Sequence, residues 1–184
     1  MVHTTPSKPL RVFSWSYWIM LTVTLCFLVS HLIRQSKKLQ SASITPTSPL
    51  DNHFGFSVTE AHETLRSMGQ KGREIYSEYN KVDFILSPIL VREFLVNTFP
   101  PSTPQRQIIR DIAANVYAMG DLMENICIAV MLRMYPRSIL SVAWIGCSGN
   151  VMKQVGLVSA VLTVLFEAYM RFYAPVRGTK DKGQ

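Results

Sequence analysis

Residues 13–33 run for 21 positions without a formally charged side chain, closed by Lys8 and Arg11 before and by Arg34, Lys37 and Lys38 after. A helix rises about 1.5 Å per residue, so a run of this length matches the roughly 30 Å of hydrocarbon in a bilayer. Only a helix or a closed barrel satisfies its backbone in lipid, and a single long uncharged run selects the helix. Phe13, Trp15, Tyr17 and Trp18 gather at one end, where amphipathic rings favour the headgroup level. A cleaved signal peptide has a shorter apolar core with small residues behind it. Here Arg34-Gln-Ser-Lys37-Lys38 follows directly, which favours an uncleaved anchor.

The rest of the chain repeats this theme with more polar content. Residues 34–56 turn to Ser, Thr, Pro and Asn without a regular period and read as a polar loop. Ser57-Val-Thr-Glu60 fits a capping box, in which hydroxyl and carboxylate satisfy free backbone donors of a starting helix. Apolar residues from Val58 to Val82 then recur at spacings of three and four, with charges mostly on the other faces. Residues 57–81 thus read as an amphipathic helix, with Gly69 and Gly72 as places where it can break. It leads into a second span over 82–99, which carries Asp83, Pro88, Arg92 and Glu93. Proline there removes a backbone bond and predicts a kink.

Pro100-Pro-Ser-Thr-Pro104 is a stop, and a third span follows over 112–134. Residues 138–149 are apolar but too short to cross and end in Gly146-Cys-Ser-Gly149, which suggests an interfacial or re-entrant segment, or the broken start of a long final helix. A fourth span covers 151–173, with Lys153 and Arg171 able to extend their charges towards the two surfaces. Glu167 lies four residues before Arg171, a spacing that favours an ion pair. Basic tails, 1–12 and 174–184, complete the chain. The expected fold class is all-α: an integral membrane bundle of about four transmembrane helices plus the amphipathic helix before the second span.

An excess of 19 Lys and Arg over 12 Asp and Glu would suggest nucleic acid in a soluble protein. Here the cations cluster beside apolar runs, as they do when gripping lipid headgroups, so membrane lipids are the expected partner and nucleic acid is not. Residues 57–81 offer a further surface for other membrane proteins. Cys26, Cys127 and Cys147 form no CxxC or Cys/His grouping, and neither a disulfide framework, a metal site nor a cofactor is expected.

Asp121, Glu124 and Asn125 in the third span form the one constellation that can carry chemistry. An ionisable group at the bilayer centre costs about 2.5 to 3.5 kcal/mol on insertion scales unless paired or wet. At 100° per residue the three share one third of the helix circumference, with Tyr117 and Ile128 on the same face. Arg92 is the first candidate for their counter-charge and Lys153 the second. Their bland role is to fix which helix faces meet. The sharper roles are a proton or solute path using paired carboxylates, or a lipid-modifying enzyme using one as general acid or base.

The last five residues, Lys180-Asp-Lys182-Gly-Gln184, resemble the dilysine retrieval signal of endoplasmic reticulum membrane proteins. That resemblance implies cytosolic termini and ranks the endoplasmic reticulum first. A mitochondrial membrane ranks second, because no acidic residue precedes Asp51. The expected role is a non-catalytic accessory or organising protein that binds lipids or other membrane proteins; the alternative is a small transporter or lipid-modifying enzyme centred on Asp121 and Glu124.

Overall fold

The computed structural model describes residues 15–98 and 101–173. The basic tails, with Lys180 and Lys182 of the expected retrieval signal, lie outside the described residues. Four long helices account for nearly everything else: α1 (Trp15–Ala42), α2 (Val58–Asn97), α3 (Pro104–Met134) and α4 (Leu140–Phe172), with a short 3₁₀ turn at Leu50–Asn52. No strand occurs among the described residues, so the all-α expectation holds. Tyr17–Ala42 in α1 and Leu140–Phe172 in α4 are long and apolar enough to cross a membrane.

The predicted amphipathic helix and second span are one helix, α2, of 40 residues. Its capping box is formed: Glu60 N–H donates to Ser57 Oγ at 3.1 Å and Ser57 N–H to Glu60 Oε2 at 2.6 Å. Those bonds hold the Glu60 carboxyl below its ordinary value, chiefly through the Ser57 backbone donor. The break falls at Gly69, whose φ of 66° lies in the left-handed region that glycine enters at no steric cost. A break frees carbonyls in the turn before it, and all must find donors. Ile44 N–H takes Ser67 O at 2.9 Å, and the Arg73 guanidinium takes Leu65 O, also at 2.9 Å. Gly69 is one of the two glycines expected to allow a break, whereas Pro88, where a kink was expected, sits within helical backbone.

On both sides of the break, Ala61, Leu65, Met68 and Tyr76 meet Leu39, Leu50, Phe56, Ile128 and Met131 in an apolar core at one end of the bundle. The apolar stripe of 57–81 is therefore occupied by the chain's own residues. Tyr76 Oη accepts Leu50 N–H at 3.0 Å there, which satisfies that buried donor within the protein.

The segment over 138–149 is not separate: α4 continues unbroken from Leu140. The glycines that read as a breaker serve helix packing. A Cβ on Gly149 would lie 2.8 Å from Glu124 N, one on Gly120 2.7 Å from Gly149 O, and one on Gly156 2.8 Å from Ala113 O. Side chains are excluded because the α3 and α4 backbones touch. Small residues at such crossings are how helices associate without a hydrophobic driving force.

Around this seam the usual distribution is reversed. Asn80, Asp83, Asp121, Glu124, Asn125 and Asn150 are buried, while Phe27, Ile89, Met119, Trp144, Val158 and Leu165 are exposed. Buried polar and exposed apolar groups are the informative exceptions to burial rules. Here they occur together on α2, α3 and α4.

Candidate functional site

The α3 stripe is where its periodicity put it. Asp121, Glu124 and Asn125 have no accessible surface, and Tyr117 and Ile128 are buried on the same face. What meets them differs from the first expectation. Arg92 pairs with its neighbour Glu93 and donates from Nε to Asn115 Oδ1 at 2.7 Å, away from the cluster. Lys153 of α4, the second candidate, is the counter-charge. Its Nζ donates to Glu124 Oε2 at 2.8 Å and lies 3.0 Å from Asp121 Oδ1. Extending Lys153 to a surface would leave two buried carboxylates without their ammonium, each costing several kcal/mol, against one lysine to desolvate. Turning inward wins.

Asn150, one helical turn before Lys153, completes this half of the cluster. Its Nδ2 donates to Glu124 Oε1 at 2.6 Å, and its Oδ1 accepts Gly55 N–H at 2.6 Å. One amide thus ties the loop before α2 to the carboxylate of α3. Gly55 has φ 77°, a conformation that lets its N–H present itself there without strain.

On the other side of Asn125 the bonding is looser. Its Nδ2 is 3.4 Å from both Asp121 Oδ1 and Asp83 Oδ2, against 2.6 and 2.8 Å for the two bonds to Glu124. Asn80 Nδ2 donates to Asn125 O at 3.0 Å, and Ser87 Oγ is 3.3 Å from Tyr117 Oη. Asp83, read from the sequence as the edge of a span, is buried within it. Asn80, Asp83, Ser87 and Asn150 were not singled out as site residues. The signal was present in α2: Asn80, Asp83 and Ser87 fall at spacings of three and four, in step with the apolar stripe, and so on its inward face.

An open-sided cleft of about 480 Å³ leads to this half. Val29, Leu32 and Ile33 of α1 give it an apolar wall. Tyr79, Asp83 and Ser87 of α2, with Lys153, give it a polar one. Ser36, Lys37 and Gln40, nearer the basic end of α1, and Asn52 of the loop also line it.

A second polar group closes the opposite end of the bundle. Glu167 pairs with Arg106 at 3.2 Å and accepts Ser102 N–H at 3.1 Å, in place of the predicted partner Arg171. Arg106 reaches it because the turn before α3, capped by Thr103, lies against the end of α4. No group of three or more His, Cys, Asp or Glu side chains fit to hold a metal ion occurs among the described residues. No family model, curated protein or solved structure matches the chain.

Proposed function

We propose that the chain is a four-pass integral membrane protein of non-catalytic, lipid-binding character, and that the cleft between α1 and α2 receives the polar head of a lipid. The observation that carries this reading is the two-faced lining of the cleft, apolar along Val29, Leu32 and Ile33 and polar along Asp83, Ser87 and Lys153. An amphiphile matches such a lining; a polar solute would leave one wall dry and a hydrocarbon the other unsatisfied. The apolar exterior of all four helices supports the four-pass topology, since side chains such as Ile89 on α2 and Met119 on α3 are exposed and lose little by facing lipid.

Asp121 and Glu124 are both held by Lys153. That favours a positioning role for them over acid–base turnover or a proton path, for which a carboxylate must be free to change partners. We place the protein first in the endoplasmic reticulum membrane on the strength of Lys180 and Lys182, which replacement of both by serine tests through relocation of a tagged protein.

The lipid reading is tested on detergent-purified protein by native mass spectrometry. Wild type is expected to retain lipid at a defined stoichiometry, and Ser87→Phe, which fills the cleft, is expected to lose it. Equal retention by both, or none by either, would overturn the reading.

A further inference from the structure

The α1 wall of the cleft changes character along its length. Val29, Leu32, Ile33, Ser36, Lys37 and Gln40 line it at helical spacings over about 16 Å, apolar in the first half and polar in the second. Asn52, in the short turn after α1, belongs to the polar end. Charge follows the same gradient. Trp18 meets Phe94, and a Cβ on Gly72 would touch Leu39, so α1 and α2 run antiparallel. Asp83, the single carboxylate of the described lining, then falls level with Val29. Lys37 lies eight residues beyond Val29, about 12 Å along the axis. The other lysine of the cleft, Lys153, is taken up by Asp121 and Glu124. Lys37 is exposed and forms no ion pair among the described residues, which makes it the cation that a guest can reach. Its neighbour Lys38 turns to a different groove, with Glu74 and Glu78.

We infer that the cleft selects a phospholipid of net negative charge, with its phosphate on Lys37 and its acyl chains running past Ile33 and Val29. The inference rests on the lipid-binding reading above and narrows it. A phosphate diester offers acceptors only, and the polar end supplies donors: the Lys37 ammonium, the Ser36 hydroxyl and the Gln40 and Asn52 amides. A head with its own ammonium would bring a second cation towards Lys37, and among the described residues that end of the lining holds no carboxylate to receive it. A head with hydroxyls meets amides that both donate and accept. The bilayer favours the same orientation, because Arg34, Lys37 and Lys38 close the uncharged run of α1, at the level where lipid phosphates lie.

The test uses the full chain in nanodiscs of phosphatidylcholine, each doped with a minor fraction of an acyl-matched guest, phosphatidylglycerol or phosphatidylethanolamine. Retained lipid is read by native mass spectrometry. Phosphatidylglycerol is expected to be enriched roughly fivefold over its bulk share, as one cation at a membrane surface gives, and phosphatidylethanolamine not at all. Lys37→Gln is expected to abolish the enrichment while lipid is still retained. Lys38→Gln removes the same charge one residue away and outside the cleft, and is expected to keep the enrichment. Enrichment that survives Lys37→Gln, or is lost equally in both variants, would mean a diffuse basic surface and overturn the assignment. Retention without preference, or a preference for phosphatidylethanolamine, would overturn it too and leave the lipid-binding reading standing. No retained lipid of any kind sinks both. Both lysines are exposed, so neither substitution disturbs the packed interior.

Discussion

The α3–α4 seam and the α1 flank are both contacts between long helices, built in opposite ways. Along the seam Gly120, Gly149 and Gly156 bring two backbones into contact, and Lys153 with Asn150 ties α4 to Glu124 across it. On the flank α1 meets α2 through separated anchors: Leu21, Leu28 and Leu39 are buried, and the Trp18 and Phe94 rings meet edge to face at 6.5 Å. Between these anchors the surfaces part and leave the cleft. The seam has the features of a fixed frame and the flank those of a side that can admit a guest. A packed interior resists even one added methylene, whereas an open-sided groove does not.

Each side of that comparison can be broken. The largest effect is expected from Lys153→Met, which leaves Asp121 and Glu124 without their shared ammonium and should cost about 3 to 5 kcal/mol. Chemical unfolding in mild detergent measures it, and adding Asp121→Asn with Glu124→Gln should recover much of the loss. Full stability of the single variant would mean that the seam is held by packing alone. Gly156→Ala comes next: its methyl would meet the α3 backbone, at an expected cost of about 2 kcal/mol. Asn150→Ala removes the amide shared by Gly55 and Glu124 and should cost about 1.5 kcal/mol, with faster hydrogen exchange at Gly55 as its specific sign.

On the flank, Ile33→Phe points a larger side chain at the cleft and should change stability by no more than about 0.5 kcal/mol. A loss comparable to that of Gly156→Ala would erase the distinction between the two contacts. The smallest expected effect lies outside both. Because the Glu60 carboxyl is held below its ordinary value of 4.5, its stabilisation is present above that pH and is lost as pH falls through the lower, folded-state value. Glu60→Gln should remove that part of the acid-induced fraying of the start of α2, as followed by hydrogen exchange.

The features legible in the sequence were those set by local chemistry. Hydrophobic runs located α1 and α4, the Ser57–Glu60 pattern located the start of α2, and helical periodicity placed Asp121, Glu124, Asn125 and Tyr117 on one buried face. The misreadings arose where partner choice is decided by tertiary packing. Arg92 and Lys153 are both cations in apolar surroundings, and nothing in their spacing says which faces α3; the glycine crossing decides, because it brings Lys153 alongside Gly120. Gly146 and Gly149 read as helix breakers since glycine disfavours helices in isolation, a bias outweighed by close packing, on the α3 backbone at Gly149 and on Cys127 and Phe56 at Gly146. Glu167 found Arg106 rather than Arg171 because the turn before α3 folds against the end of α4. The cleft, an empty space between helices, has no sequence signature of its own.

The inverted interior also determines how this chain can drift over generations. Positions facing outward require only an apolar side chain, so Ile, Leu, Val and Phe can replace one another there at little cost. Gly120, Gly149 and Gly156 have no permitted substitute of comparable size, and Asn150 needs both ends of its amide. Most of the apolar length is therefore free to change, while descent would be carried by a few polar and small residues at fixed intervals: Asp121, Glu124 and Asn125 on α3, matched by Gly149, Asn150 and Lys153 on α4. Distant relatives would share those intervals long after the rest of the text had been rewritten.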